Sequence, residues 1–322
     1  MNVLITSASK KVWLIKAFKK ALAAEGGGLV YAIDISPNAP ALYFADCHYL
    51  CLRDSDPHFA DSVLSLCKQH QITLIIPTRD EELPIFSKLR EVFLKDGIFI
   101  MTAAPQTIDV CQDKKKFIGF CNGHGFNVPP TYNAGAALEF PLFVKPIRGK
   151  GSTNTAVINS HNELQLFINT GGHDCIIQKY INAPEYTVDL FSDFSGNVIC
   201  AVPRIRIVVF GGESYVSKTQ CNRTIIDESV RLAKALNLVG HNTIQCFWET
   251  DRVFFIEVNP RYGGGAALSI EAGADTPRYL IKILKGGTLT PDFQNFRDNL
   301  YMLRYTDELF LDENSLTTKR FV

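Results

Sequence analysis

Apolar positions in the first hundred residues follow two alternating patterns. Short runs rich in Val, Ile, Leu and Phe, typical of strands buried on both faces, occur at 2–6, 29–34, 72–76 and 98–101. The spacing of amphipathic helices occurs at 11–25, 58–70 and 80–94. Strands that alternate with helices in this way predict an open, doubly wound α/β sheet.

The pattern then changes. It breaks at 103–113, a helix is predicted over about 112–122, and NVPPTYN (127–133) interrupts regular structure. Closely spaced strand-like runs follow, which predict antiparallel hairpins, at 142–145, 155–158, 175–180, 185–192, 197–202, 204–210, 242–249 and 253–258. Helices are predicted near 161–169, 224–237 and 276–285. The second half is therefore predicted to be α+β, and the polar stretch 306–322 to be loosely held.

Composition narrows the classes of function. Thirty-three basic and thirty-three acidic residues cancel, so no overall field favours a nucleic acid or an anionic membrane surface. The N-terminus, MNVLITSASKK, has the reverse order of a secretory signal, and no apolar run reaches membrane-spanning length. Nine scattered cysteines without a CxxC pair favour free thiols in a reducing cytoplasm.

The stretch FFIEVNPRYGGG (254–265) ends an apolar strand with polar side chains and three glycines. It follows another run, NTIQCFWE (242–249), and 250–252 lie between the two. If those three residues form a hairpin loop, Gln245 lies directly across from Glu257. A two-residue loop would shift the register by one and separate these side chains.

With that register, strand alternation gives the hairpin two different faces. The apolar face would comprise Ile244, Cys246, Trp248, Phe254, Ile256 and Val258. The other would comprise Gln245, Phe247, Glu249, Phe255, Glu257 and Asn259. Its Gln, Glu and Asn oxygens suit a hard cation such as Mg²⁺, which prefers to share phosphate oxygens. An ordinary solvent-exposed sheet face is the other interpretation, and both stay open.

Three other segments carry candidate chemistry. Lys145 ends a predicted strand before the loop RGKGSTN (148–154), whose glycines allow backbone amides to approach an anion. Arg204 and Arg206 share a strand face, and with Lys218 nearby they suggest an anion site. The loops TSASKK (6–11) and TRDEEL (78–83) follow strands, where ligands bind in open α/β sheets. Ordinary turns, solvated arginines and strand-to-helix loops, with Asp80 as a helix N-cap, remain the alternatives.

Taken in order, these segments resemble the ATP-grasp superfamily, in particular one synthetase half of the carbamoyl-phosphate synthase large subunit. The ordered elements are an α/β domain, Asp113–Lys114, the VKP loop, QKYINAPEY and finally Gln245 followed by IEVNPR and glycines. The resemblance implies a pre-grasp domain at 1–103, a linker helix and lid subdomain at 104–183, and a C-terminal subdomain with the Mg²⁺ site at 184–322. Two departures stand out, Gln at 178 and Gln at 245, of which the second is typical of the carbamoyl-phosphate branch.

The resemblance also implies roles for individual residues. Those that would bind ATP are Lys114, Lys145, Lys150, Gly151, Ser152, Gln178, Lys179, Tyr180, Ile181 and Glu185. Those that would bind Mg²⁺, or Mn²⁺ in its place, are Gln245, Glu257 and Asn259. Arg261 would stand beside the transferred phosphate, with Arg204 and Lys218 as further catalytic cations. The three glycines after Arg261 would let the chain turn tightly around substrate.

The implied activity is an ATP-dependent carboxylate–amine ligase that forms an acyl phosphate and releases ADP and phosphate. Its partners would be a small carboxylate, such as an amino acid or peptide-like metabolite, and an amine, with no nucleic acid or membrane. Homodimers are common in the class. Two alternatives stay open: a phosphotransferase that stops at an acyl or carbamoyl phosphate, and a catalytically silent nucleotide-binding protein.

Overall fold

The first sheet is parallel and has the strand order β3-β2-β1-β4-β5. The structure is a computed structural model, and it describes residues 1–132, 136–149, 151, 153–170, 174–316 and 319–321. Its strands are β1 (Asn2–Ile5), β2 (Val30–Asp34), β3 (Cys47–Leu50), β4 (Ile72–Ile76) and β5 (Phe99–Ile100). The helices are α1 (Val12–Ala24), α2 (Phe59–Gln69) and α3 (Leu83–Lys95), with a short 3₁₀ helix at Pro40–Phe44. Apolar side chains cover both faces of the sheet. The predicted doubly wound sheet is confirmed.

The strand order of this sheet reverses between β1 and β4, where the chain leaves the same edge in two loops. A crevice at such a point is the usual ligand position in open α/β sheets. The half-buried edge strand β3 lacks a continuous apolar run, and the sequence pattern did not predict it.

Two short helices, α4 (Pro105–Gln112) and α5 (Lys114–Gly123), stand where one helix was predicted over 112–122. Asp113 separates them because its backbone is extended and its side chain accepts hydrogen bonds from the amides of Lys115 and Lys116, at 3.0 and 3.1 Å. Pro105 fits the first turn of α4, where an amide hydrogen has no helical partner.

The second sheet is small and antiparallel, in the order β6-β9-β7-β8. Its strands are β6 (Thr131–Tyr132), β7 (Leu142–Pro146), β8 (Ala156–Ile158) and β9 (Cys175–Lys179). Helix α6 (His161–Asn169) buries Leu164 against this sheet in a separate small core.

The third sheet is larger and also antiparallel, in the order β14-β13-β10-β11-β12-β15. Its strands are β10 (Glu185–Ser192), β11 (Val198–Phe210), β12 (Glu213–Thr219), β13 (Gly240–Glu249), β14 (Arg252–Asn259) and β15 (Tyr301–Leu303). Its helices are α7 (Arg223–Ala235), α8 (Ala266–Glu271) and α9 (Thr276–Leu284). The runs at 197–202 and 204–210 form one strand, because Pro203 keeps an extended backbone and its carbonyl still accepts from Gln220 N at 3.0 Å.

The β13–β14 hairpin has a shorter loop than predicted, but it still pairs Gln245 with Glu257. Its loop has two residues, Thr250 and Asp251, which both have positive φ, and Arg252 pairs with Glu249. A β-bulge then adds Ile256 to β14, so that Cys246 faces Phe255 while Gln245 faces Glu257. The predicted three-residue loop is therefore wrong, but the bulge supplies the extra residue that brings Gln245 across from Glu257.

The same bulge reverses the predicted faces between the turn and Ile256. Phe255, predicted to share the polar face, is 1% exposed and packs in the core beside α7. Ile256, predicted to be apolar core, lines a cavity together with Phe247 and Glu257. Alternation holds on each side of a bulge but not across it.

The end of the chain returns to the first sheet. Leu50 N donates to Lys319 O at 2.8 Å and Phe321 N donates to Leu50 O at 3.0 Å, which adds a parallel bridge beside β3. The Phe321 ring packs edge-on against Tyr49. The prediction of a loosely held 306–322 is thus wrong for its last described residues. The preceding segment, which includes a 3₁₀ helix at Glu313–Ser315, is mostly exposed.

Candidate nucleotide and metal site

A cavity of about 520 Å³ lies between the small and the large antiparallel sheets. Its floor comes from β7 and β9 of one sheet and from β10, β13 and β14 of the other. The chain passes between the sheets at 180–184 and lines the cavity there. The predicted nucleotide and metal residues that line it are Lys114, Lys145, Gly151, Gln178, Lys179, Tyr180, Ile181, Glu185, Gln245 and Glu257.

The three predicted metal ligands lie together. Asn259 Nδ2 is 3.1 Å from Glu257 Oε1 and 3.4 Å from Gln245 Oε1. Two oxygens from adjoining strands therefore converge on one point, a donor set that fits a hard cation shared with phosphate oxygens. Asn259 presents its amide nitrogen to this point, while its oxygen accepts from Arg261 Nη2 at 3.3 Å. Asn259 would coordinate through oxygen only after its amide turned over.

Glu185 stands beside this cluster and binds Gln245. Gln245 Nε2 donates to Glu185 Oε1 at 2.9 Å, and Arg206 Nη1 donates to the same oxygen. Arg206 was not among the residues assigned to the nucleotide site, although its place on the strand face of Arg204 was visible in the sequence.

Lys145 is a buried cation that faces the cavity. It is 5% exposed, and no hydrogen bond or ion pair joins its Nζ to another described residue. The pKa of Lys145 is lowered to about 8, mainly by burial and in part by repulsion from Lys114, while Glu257 and Glu185 act in the opposite direction. An unpaired cation in such a place suits an anionic ligand. Lys114 lies nearby, with Nζ donating to Gly149 O at 2.9 Å.

The residues predicted to frame adenine, at 178–181, line the cavity. The side chain of Gln178 is buried and donates to Pro129 O at 3.0 Å and Thr131 Oγ1 at 3.2 Å, which fixes the segment before β6. Gln178 therefore has a structural task that explains an amide in place of an acid. Ile181 is 7% exposed and lies at the start of the crossing segment.

Two residues of the predicted phosphate loop, Lys150 and Ser152, lie outside the described residues. Gly151 contacts the turn between β11 and β12, because a Cβ added to Gly212 would lie 2.7 Å from Gly151 Cα.

The predicted anion site at Arg204, Arg206 and Lys218 does not form. Arg204 is 3% exposed and Arg204 Nε donates to buried Asp189 at 2.8 Å, whereas Arg206 binds Glu185. Each arginine thus has its own carboxylate. Lys218 pairs with Ile205 and so projects from the opposite face of the sheet, where its Nζ lies over the Tyr301 ring.

Two residues that donate to buried Asp189, Arg204 and Thr243, explain two of the three consecutive glycines. Burial acts to raise the pKa of Asp189, but Arg204 and His241 hold it well below its usual range. The guanidinium of Arg204 in this pair lies against Gly265, where a Cβ would be 2.5 Å from Nη1, and a Cβ at Gly263 would be 2.7 Å from Thr243 Oγ1. These glycines are required by close packing on the sheet, a reason that the sequence interpretation missed.

Arg261 is held by the parallel-sheet domain. Its Nε and Nη2 donate to the two carboxylate oxygens of Asp80, both at 2.7 Å, and Nη1 donates to Tyr262 O at 3.3 Å. With the bond from Nη2 to Asn259, one N–H of Nη1 remains without a partner among the described residues. Asp80 is therefore an ion-pair partner and not the N-cap of α3, a position that Glu82 occupies.

Glu82 joins the two loops at the carboxyl edge of the parallel sheet. It is 2% exposed and accepts from Thr6 Oγ1 at 2.8 Å and Ser7 Oγ at 2.6 Å. Burial raises the pKa of Glu82, while the two hydroxyl donors act against that rise. A second cavity, of about 450 Å³, opens between α3, α4 and β14 and shares Lys114, Gly149 and Glu257 with the first.

A cavity between two antiparallel sheets, with a polar edge on a β-hairpin and a parallel-sheet domain before it, is the arrangement that the ATP-grasp resemblance implied. Residues 172–307 match a family model described as ATP-grasp in the biosynthetic pathway with Ter operon, and residues 3–101 match the PylC-like N-terminal domain. Its residues 172–307 thus match an ATP-grasp family model, and the suspected resemblance to the ATP-grasp superfamily is confirmed.

The carbamoyl phosphate synthase large chain of Thermoanaerobacter sp. (strain X514) is 28% identical over 196 residues, which are 54% of this chain and 18% of that protein. The chain therefore spans about a fifth of the length of this curated relative. Among solved structures, the biotin carboxylase domain dimer of Hydrogenobacter thermophilus 2-oxoglutarate carboxylase, with MgADP, ADP and bicarbonate, has a TM-score of 0.72 at 17% identity, covering 93% of this chain and 73% of that one. An L-amino acid ligase from Bacillus licheniformis has a TM-score of 0.68 at 20% identity, covering 88% and 74%. Both structural likenesses concern the fold.

In the described parts of the chain, every helix is too short or too polar to cross a bilayer.

Proposed function

We propose that this chain is an ATP-dependent carboxylate–amine ligase. The observation that carries the proposal is the convergence of Gln245 Oε1, Glu257 and the unpaired cation Lys145 on one nucleotide-sized cavity. Oxygen ligands and a buried lysine are what a metal-bound triphosphate requires. The L-amino acid ligase and the MgADP-bound carboxylase domain share the fold, which supports the proposal.

In the proposed reaction, a carboxylate oxygen attacks the γ-phosphorus of ATP and ADP leaves. The amine nitrogen of a second substrate then attacks the acyl carbon, phosphate leaves, and the nitrogen loses a proton. Mg²⁺, when bound at Gln245 and Glu257, supplies charge neutralisation for the phosphate oxygens. Mn²⁺ is expected to substitute for it, since its ligand preference is similar.

The protein contributes position and charge. Lys145 and Lys114 bind phosphate oxygens, while Ile181 and its neighbours pack against the base. Glu185 Oε2, which has no hydrogen-bond partner within the described residues, is available to a ribose hydroxyl. The remaining N–H of Arg261 is directed to the transferred phosphoryl group or the acyl phosphate. Arg204 binds buried Asp189 and packs against Gly265, so we give it a structural role. Lys218 projects from the opposite face of the sheet, and we give it no role in the reaction.

The proposed domain bounds, location and oligomeric state are those predicted from the sequence. We retain the division into a pre-grasp domain at 1–103, a linker and lid at 104–183 and a C-terminal subdomain at 184–322. We also propose a cytoplasmic homodimer, which the dimeric carboxylase domain and the nine free cysteines support.

The test is the substrate dependence of ATP turnover. ADP and phosphate should appear only when both an active carboxylate, sought first among amino acids, and an amine are supplied. Glu257→Gln should abolish this turnover and leave the thermal melt of the nucleotide-free protein unchanged, because Glu257 lines the cavity and is not a core residue. Tight ADP binding without turnover for any carboxylate would instead indicate a nucleotide-binding protein.

The alternative is a phosphotransferase that stops at the acyl phosphate, and the similarity to a carbamoyl phosphate synthase supports considering it. A hydroxylamine trap, compared with an added amine, distinguishes it from the ligase. The ligase forms hydroxamate with carboxylate and ATP and makes an amide when the amine replaces hydroxylamine. A protein that accumulates acyl phosphate and is insensitive to every amine would contradict the ligase.

A further inference from the structure

The side-chain amide of Gln245 can serve a cation through only one of its two ends. Its oxygen faces Glu257 and Asn259, and its nitrogen donates to Glu185 Oε1 at 2.9 Å. An amide that turned over would place N–H groups against the cation and an oxygen against a carboxylate. The orientation that suits a metal therefore depends on where Glu185 holds its acceptor oxygen.

Glu185 is in turn held by Arg206. Thr187 pairs with both Arg204 and Gln245, so that Glu185, Arg206 and Gln245 occupy the same face of neighbouring strands. Arg206 Nη1 donates to the oxygen that Gln245 also uses, and the Arg206 side chain is 8% exposed. Because one oxygen accepts from both donors, Arg206 fixes the acceptor on which the Gln245 amide depends.

Arg206 is itself anchored at its other nitrogens. Arg206 Nε donates to Ser214 Oγ at 3.1 Å and Nη2 donates to Gly212 O at 2.7 Å, both in or beside the β11–β12 turn. Three separate acceptors thus define the plane of the guanidinium, an arrangement that a lysine ammonium cannot reproduce. Because Arg206 is paired with Glu185, its charge is already compensated and is not available to a phosphate.

We propose that Arg206 is a positioning residue for the metal ligand Gln245, acting through Glu185. The proposal rests on the proposed metal-binding role of Gln245. It assigns Glu185 a task besides ribose binding: Oε1 orients the metal ligand, and Oε2 remains for the nucleotide.

The sign of the effect separates positioning from simple charge. Arg206 is a cation close to a cation site, so by Coulomb's law its removal should strengthen metal binding. Loss of an orienting partner should instead weaken metal binding, by roughly 10- to 100-fold for residues that act through a ligand. The two accounts therefore predict opposite results.

The experiment measures Mn²⁺ binding by electron paramagnetic resonance in the presence of saturating ADP, and ADP binding by calorimetry in EDTA. Arg206→Met and Arg206→Lys should both weaken Mn²⁺ binding by roughly 10- to 100-fold and leave metal-free ADP binding unchanged. Arg223→Met, at an exposed arginine that pairs with Asp227 on α7, is the matched control and should change neither. In a Gln245→Met background, Arg206→Met should cause no further loss, because the ligand that it positions is gone.

Several results would overturn the proposal. Unchanged or tighter Mn²⁺ binding in Arg206→Met would leave only a charge effect, and an equal loss of ADP binding in EDTA would make Arg206 a direct nucleotide ligand. If Arg206→Met fails to fold, as judged by its thermal melt, Ser214→Ala removes one anchor and should give a smaller loss of the same kind, and normal binding there would refute the relay. Absence of Mn²⁺ binding in the wild-type chain would refute the metal role of Gln245 itself, a failure distinct from these.

Discussion

At the scale of single residues, the buried Lys145 makes nucleotide binding depend on pH. In the free protein its pKa is lowered to about 8, mainly by burial and in part by repulsion from Lys114. Phosphate oxygens favour the protonated form, so binding ADP above pH 8 requires uptake of a proton. We predict that ADP affinity is highest below about pH 8 and falls by up to tenfold per pH unit above it. Calorimetry over a range of pH measures this.

The matched variants are Lys145→Arg and Lys145→Met. Arginine keeps its charge throughout this range, and methionine carries none, so both should remove the dependence on pH above 8, the first at higher affinity than the second. A wild-type affinity that stays constant across this range would show that Lys145 does not take up a proton on binding. A variant that keeps the full dependence would show that another group titrates.

At the scale of single residues, the sequence indicated which side chains form the proposed metal site. It did not indicate which distant residues contact them. Gln245, Glu257 and Asn259 could be grouped from motif order and strand alternation alone. Asp80 could not be assigned to Arg261, because the two residues are 181 positions apart and both also fit ordinary local roles. Contacts of this kind depend on how two domains pack, which spacing along the chain does not encode.

At the scale of elements, the two-residue loop of the β13–β14 hairpin carries local strain. Thr250 and Asp251 have φ of +49° and +59°, a combination that the Asn-Gly sequence adopts most readily. A β-branched residue in this region is unfavourable. Replacing the pair by Asn-Gly should stabilise the chain by about 1 kcal/mol, measured by urea denaturation, with the metal site unchanged.

Thr288→Asn is the control for that substitution, because Thr288 is exposed and lies outside the left-handed region. It should leave stability unchanged. A destabilised Asn-Gly variant would show that Thr250 or Asp251 makes a contact more valuable than the relief of its backbone.

The hairpin also shows why elements are predicted better than their details. The runs 242–249 and 253–258 were found because aromatic and β-branched residues mark strands. The bulge at Ile256 has no sequence signature of that strength, since nothing in VFFIEVN distinguishes Ile256 from its neighbours. As a result, the loop length and the faces of Phe255 and Ile256 were predicted wrongly even though the polar pair was placed correctly.

At the scale of the whole molecule, fold class followed from the order of patterns. A strand–helix alternation and then closely spaced hairpins left few arrangements, and both halves were found as predicted. The path of the chain end was not predicted, because a polar stretch gives no indication of where its few apolar residues dock. In the structure that end returns to β3 across the length of the sequence.

This return packs the last described residues of the 184–322 segment against the first domain. Phe321 lies 5.9 Å from the Tyr49 ring and 6.4 Å from the His70 ring, measured between centroids, and joins the core below β3. We predict that Phe321→Ala lowers the melting temperature by about 1–2 °C, the shift expected for a loss near 1 kcal/mol in a chain of 322 residues. Phe310→Ala is the matched control, because Phe310 is 88% exposed in the segment just before and should change nothing. Equal effects of the two substitutions, or none for Phe321→Ala, would mean that the bridge at Leu50 adds no stability and that the tail is as loosely held as the sequence suggested.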